Sequence, residues 1–224
     1  MVNILQKIRM IFLFGEKKVK YKADIRKKAF ELIEKERRWG NDSASGWGST
    51  IEYTKKARAI IEFVIREYKI KSLYDAACGE FSWMHILLQM QPDDFKYIGG
   101  DVVSALISSH SEKYPKYEFK VIDFVCDKLP NCELILCRDA LQHLPVEDIS
   151  KSLENFSNSS AKFLLATTHL RRYGWKNGRN IRMAQCRDRN LMLKPFNLPD
   201  PLVIFSEQDE SHKYLGLWEL PFKK

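Results

Sequence analysis

A chain of 224 residues, 45% of them hydrophobic, has the length of one domain with a sizeable core, and its ordinary composition excludes a disordered or fibrous protein. No stretch approaches the roughly twenty apolar residues of a membrane-spanning helix, and five cysteines without a CxxC pair exclude a disulfide framework and a zinc ribbon, pointing to reduced thiols in the cytoplasm. The net charge of +8 excludes little by itself, but it is concentrated at the N-terminus.

Residues 1–38 hold twelve Lys and Arg against five Asp and Glu, and form a basic helical arm. Ile4, Leu5, Ile8, Ile11, Phe12, Leu13 and Phe14 surround Lys7 and Arg9, a pattern that suits a helix lying on an anionic membrane surface. A helix packed on the catalytic domain or on a second copy of the chain is favoured over the membrane contact, and a homodimer stays open. No A-x-A cleavage pattern follows, so no secretory leader is expected. The arm's aromatics do not interleave with its charges as a nucleic-acid stacking platform would, which disfavours a nucleic-acid partner.

Residues 39–54 turn small and polar, WGNDSASGWGSTIEYT, and a loop of this make-up can close over a ligand. Helical spacing follows over residues 55–68 (Ala57, Ile60, Ile61, Val64, Ile65), with Thr54 or Ser49 as the expected cap. Ser72-Leu73-Tyr74 ends a short buried strand, Asp75–Phe81 is a tight loop, and Phe81–Met90 is a helix. A strand, tight loop and helix place backbone N–H groups at a sheet's carboxyl edge, where anionic or nucleotide-like ligands bind. The loop has a single glycine, Gly79, and lacks the GxGxxG of a dinucleotide site.

This loop, DAACGEFSW, resembles motif I of the class I S-adenosylmethionine (SAM)-dependent methyltransferases, with Phe81 where the family commonly carries another glycine. A Trp followed by SxSGxGS before that loop, the CRDxLxHLP segment and the late PFNLPDP are similar to a bacterial group of small methyltransferases linked to surface-polysaccharide and natural-product pathways. The resemblance implies SAM as cofactor and a cofactor set of Trp39, Ser45, Gly46, Asp75, Ala76, Cys78, Gly79, Trp83, Asp101, Val102, Asp123, Phe124 and Arg138.

Lys96–Asp101 is the second strand, and Asp101 at its end suits a ribose diol, with Val102 as apolar surface for adenine. A third strand over Tyr117–Phe124 ends in Asp123-Phe124, where the carboxylate suits an adenine amino group. Cys132–Asp139 is the fourth strand, Val146–Ser157 a helix, and Ala161–Thr168 the fifth strand. His143 and Asp139, just past strand four, are the candidates for removing a proton from an acceptor, and His is the better base near neutral pH. The cationic segment His169–Pro201 suits an anionic acceptor, with His169, Arg171, Arg179 and Arg182 as its candidate contacts. A hairpin of Leu202–Phe205 with Tyr214–Leu220 closes the chain.

The expected architecture is a doubly wound, Rossmann-like α/β domain over residues 39–224, a seven-stranded sheet with its last strand antiparallel, preceded by the arm. The expected function is SAM-dependent methyl transfer, with no metal, to a small anionic acceptor such as a sugar nucleotide, saccharide or phosphorylated metabolite. O-methylation is favoured. A nucleic-acid methyltransferase and a non-catalytic partner protein of the same fold stay open as alternatives.

Overall fold

Successive residues of a strand face opposite sides of a sheet, so the alternation of buried side chains fixes the layers of this chain. The computed structural model describes residues 21–40, 45–171, 176–208 and 212–223. Strands β1 (Ser72–Ala76), β4 (Leu134–Cys137) and β5 (Phe163–His169) divide their side chains between two buried clusters. Tyr74, Ile135, Cys137, Leu164 and Ala166 pack with Ile149, Leu153 and Phe156 of one helix, Val146–Ser157. Leu73, Leu134, Leu136 and Leu165 pack with Ile61 and Val64 of α2 (Lys55–Glu67), Met84 and Leu87 of α3 (Ser82–Leu88), and Ile107 of α4 (Ser104–Lys113). Helices therefore cover both faces, with Val146–Ser157, here α5, on the first and α2, α3 and α4 on the second.

The remaining strands are β2 (Lys96–Asp101), β3 (Glu118–Val121), β6 (Val203–Ser206) and β7 (Lys213–Glu219). The seven strands run in the order β3-β2-β1-β4-β5-β7-β6. Strands β1 to β5 pair in parallel, while β7 lies antiparallel between β5 and β6. The sheet is thus the seven-stranded, doubly wound one expected. Strand β1 sits between β2 and β4, and chain order reverses there, which opens a crevice at the carboxyl ends of these three strands.

Local differences from the sequence reading all fall at element ends. Strand β3 stops at Val121, because the Asp123 carboxylate accepts from the Val125 amide (3.1 Å) and the Asp127 carboxylate from the Asp123 amide (2.8 Å), folding Asp123–Asp127 into a turn. Strand β4 stops at Cys137, and Asp139 takes a left-handed φ of 55°. Thr54 stands at the N-terminus of α2 without capping it, since its hydroxyl donates back to the Thr50 (2.8 Å) and Ile51 (3.1 Å) carbonyls. The cysteines are free, Cys78, Cys132 and Cys137 buried, Cys126 and Cys186 exposed.

Residues 21–36 form a helix, α1, which lies against the domain through Arg26, Phe30 and Ile33. The amphipathic pattern of Ile4 to Phe14 lies outside the described residues. Among the described residues, no helix is long and apolar enough to cross a membrane, and no group of three or more His, Cys, Asp or Glu is placed to hold a metal ion.

Candidate cofactor and acceptor site

The loop after β1 is built from three left-handed residues, Ala77 (φ 73°), Gly79 (φ 52°) and Phe81 (φ 63°). This twist turns the chain so that the Ala77 and Cys78 amides both donate to the Gly100 carbonyl of β2, at 2.9 and 3.0 Å. Phe81 stands where a glycine was expected, and it adopts the glycine-like conformation that such a position requires. Its ring is fully buried among Tyr97, Tyr114 and Phe119, with centroids 4.9–5.2 Å away. Burying a phenyl ring contributes about 1.5–3 kcal/mol, enough to offset the left-handed strain of roughly 1–2 kcal/mol. Gly79 is held from three sides. Its amide donates to Asp101 Oδ2 (3.2 Å), its carbonyl accepts from His110 Nε2 (2.7 Å), and a Cβ there would stand 2.4 Å from Ser45 Oγ.

Three acidic residues line the cavity beside this loop. Asp101 ends β2, where the amides of Gly79 and Val103 (3.0 Å) hold its carboxylate. Burial raises its pKa, and the backbone donors oppose that shift. Asp75, 3% exposed, accepts from the Tyr97 hydroxyl at 3.0 Å. Burial pushes its carboxyl up to about 7, against that hydrogen bond. Asp123 is engaged from a direction the sequence did not indicate: Arg26 of α1 donates to it at 2.7 Å and to Asp148 of α5 at 3.0 Å. One guanidinium thus joins α1, the turn after β3 and α5.

A cavity of about 1070 Å³, open solvent at its mouth included, runs along the sheet edge. Of the expected cofactor set, Trp39, Ser45, Asp75, Cys78, Gly79, Trp83, Asp101, Val102, Asp123, Phe124 and Arg138 line it. Gly46 does not, being packed behind Trp39, whose Cβ a side chain there would meet at 3.3 Å, and Ala76 is a fully buried core residue. Arg26, Phe30, Ile33 and Glu34 of α1 also line the cavity. Sequence reasoning missed them, as it missed His110 behind Gly79.

Trp39, Trp83, Arg138, Asp139 and His143 form one group on the cavity wall, with Arg138 over the Trp83 ring. Arg138 and Asp139 belong to a buried quartet with Glu207 and Lys213. Arg138 pairs with Glu207 (2.5 Å) and Asp139 (3.3 Å), Lys213 pairs with Glu207 (2.9 Å) and with Asp139, and Arg138 also donates to the Gly48 carbonyl (2.8 Å). A Cβ on Gly48 would lie 3.2 Å from Asp139 Oδ2, so the segment crosses the quartet where a side chain would crowd it. Burial disfavours the Asp139 anion, but the Arg138 and Lys213 cations overcome this and hold its carboxyl at about 2. Its Oδ1 is buried without a hydrogen-bond partner among the described residues.

The His143 ring stacks on Trp39, centroids 4.5 Å apart. Its Nδ1 lies 3.2 Å from the Gln185 carbonyl, which can only accept, so Nδ1 carries the proton and Nε2 the lone pair. Burial lowers its pKa below 6.5, with the Asp139 charge acting the other way.

The four residues assigned to an acceptor do not line the cavity. His169 is buried at the end of β5, accepting from the Arg189 amide (3.2 Å). Arg171 pairs with Asp188, while Arg179 and Arg182 are exposed. Their segment nevertheless borders the site, because Ala184 donates to the His143 carbonyl (2.9 Å) and Arg187 to the Gln142 carbonyl (3.0 Å). It is also more ordered than a plain crossover. The Asn177 side chain donates to the Asn190 and Lys194 carbonyls, both at 2.8 Å, and accepts from the Asn190 amide (2.7 Å).

Several solved structures are similar to this chain in fold. The magnesium protoporphyrin IX methyltransferase of Synechocystis PCC 6803, with bound SAM, is 11% identical with a TM-score of 0.61, covering 88% of this chain and 96% of that one. The N-methyltransferase NodS of Bradyrhizobium japonicum WM9, with S-adenosylhomocysteine (SAH), is 13% identical with a TM-score of 0.58, covering 86% and 98%. The chain has the methyltransferase fold. Human N-acetylserotonin methyltransferase in complex with SAM is also similar, at 14% identity and a TM-score of 0.55, over 74% of this chain and 51% of that one, so the chain spans about half of its length. No family model matches the chain, and no curated protein matches it. Most of the expected cofactor residues come from the carboxyl ends of β1, β2 and β4 and the turn after β3, with Trp39 and Ser45 from the segment before α2 and Trp83 from α3.

Proposed function

We propose that this chain is a SAM-dependent methyltransferase acting on a small-molecule acceptor. The observation that carries the reading is the Asp101 carboxylate, held on the cavity wall at the end of β2 by the amides of Gly79 and Val103. A carboxylate fixed at the end of a second parallel strand suits a ribose diol, and Asp75, Gly79, Val102 and Phe124 line the same cavity. Asp101 would hold the ribose, Val102 and Phe124 would flank the adenine, and Asp75 and Gly79 would meet the amino-acid part. When bound, the cofactor supplies a methyl group activated on a sulfonium centre.

The chain's own task is then to orient the acceptor, exclude water and take a proton. His143 Nε2 is the group that accepts the proton of an acceptor hydroxyl as its oxygen becomes methylated. Asp139 is a poor base, because its carboxyl is held at about 2 by two cations. Its role is to anchor Lys213 and Arg138. Trp39 and Trp83, expected at the cofactor, line the same cavity wall as His143. The acceptor is anionic in this reading, a sugar nucleotide or phosphorylated metabolite, whose charge extends past His143 toward the segment bearing Arg179, Arg182 and Arg187.

Calorimetry with SAH tests the cofactor half. Asp101→Ala is expected to weaken binding by about 1–3 kcal/mol, the effect of losing a charged hydrogen-bond partner, and an unchanged affinity would remove the assignment. For the acceptor half, phosphorylated acceptors should turn over at least about tenfold faster than neutral counterparts; equal rates would discard the anionic part.

A further inference from the structure

Helix α1 has two faces with different tasks. At 100° per residue, Arg26, Phe30 and Ile33 point inward to the cavity, while Tyr21, Ile25, Lys28, Leu32 and Lys35 fall within a sector of roughly 80° on the opposite side. That outer sector is exposed and apolar, with Tyr21 67%, Ile25 40% and Leu32 41% accessible. Its lysines, Lys28 and Lys35, lie within the same sector, also exposed. A surface helix of a soluble domain normally turns charged and polar side chains to water and keeps its apolar ones for the core.

We propose that the outer face of α1 docks on an anionic lipid surface. Alternating Ile, Leu and Tyr with Lys on one exposed face is what the boundary of an anionic bilayer selects, because the apolar groups enter the acyl margin while the ammonium groups stay at the lipid phosphates. Charge complementarity favours lipid over a second copy of this chain, since two copies meeting through this face would bring Lys28 and Lys35 of each against the other. The residues before α1 carry the same chemistry in sequence, with Lys17, Lys18 and Lys20 next to it and the apolar run of Ile4 to Phe14 beyond. The inner face of the same helix is cavity wall, so docking would hold the candidate site beside the membrane surface.

Sedimentation of the full chain with vesicles tests this. Wild type is expected to co-sediment with vesicles of phosphatidylglycerol and phosphatidylcholine, not with phosphatidylcholine alone, and to be released by high salt. Ile25→Ser with Leu32→Ser, and separately Lys28→Glu with Lys35→Glu, should each lower partitioning by about tenfold or more. Both double variants should keep wild-type affinity for SAH, which shows that they are folded and keeps the result separate from the methyltransferase reading. Wild type that ignores the anionic vesicles overturns the proposal. So does undiminished binding by both variants, which would assign any lipid contact to residues before α1. A wild-type dimer in analytical ultracentrifugation that both variants dissociate would assign the face to a second copy instead.

Discussion

His143 combines a ring stacked on Trp39 with a hydrogen bond that decides its tautomer. Burial lowers its pKa, so the neutral base is the form present at pH 7, and it is lost only as pH falls below the ordinary value of 6.5. Turnover should therefore be flat through neutrality and decline on the acid side. His143→Gln is expected to lose about 10²–10⁴-fold in kcat, to lose that acid limb, and to bind SAH as wild type does. A variant within threefold of wild type, or with the same acid limb, would remove the base role. Residues of this kind were legible because they follow strand ends whose positions the apolar runs mark: Asp75, Asp101 and Arg138 are all cavity residues. Phe81 was legible as a departure and not in its consequence, since only the packed ring shows how a non-glycine residue is held at φ 63°. Arg171, Arg179 and Arg182 were chosen on charge, and charge does not tell which way a loop side chain faces.

Helix α1 is the element whose place was least legible. Its basic composition marks it as an arm, yet its inner face is cavity wall, and the contact that fixes it spans 97 residues, from Arg26 to Asp123. No local pattern carries such a pairing. Arg26 is 3% exposed and bonds two carboxylates on different elements, so its removal leaves both without their cation. Arg26→Met should lower the unfolding free energy by about 3 kcal/mol in urea titration, within the range for breaking a buried ion pair from one side. It should also weaken SAH binding by loosening the Asp123 turn. A loss below about 1 kcal/mol would mean that α1 is only loosely attached. In the segment before α2, whose small, glycine-bearing make-up suggested a loop able to close over a ligand, Ser45 and Gly48 lie across Gly79 and Asp139.

Over the whole molecule, the site works against stability, because it buries charge that an apolar core would not. Asp75 makes this measurable. Its carboxyl is raised to about 7 in the folded chain from an ordinary 3.8, so between those values the folded state holds a proton that the unfolded state has released. Stability then falls as pH rises from about 4 to about 7, by a few kcal/mol, and does not recover above that. Asp75→Asn has no proton to lose and should flatten this slope, becoming the more stable protein at pH 8 while binding SAH more weakly. Equal pH slopes in urea melts of the two proteins would show that Asp75 ionises normally.

The quartet of Arg138, Asp139, Glu207 and Lys213 has a consequence for synthesis. Two members precede β5 and two follow it, and Lys213 opens β7, the strand that must enter between β5 and β6. A nascent chain that has emerged only through β5 already holds β1 to β5 in parallel order and all of Asp75, Asp101 and His143. It still lacks Glu207, the carboxylate that Arg138 meets at 2.5 Å, and the ammonium that Asp139 meets. The cavity edge that holds Arg138 and Asp139 is therefore completed only once β7 has emerged. Until then the half-built sheet presents β5 as an open edge, the kind of surface that chaperones cover.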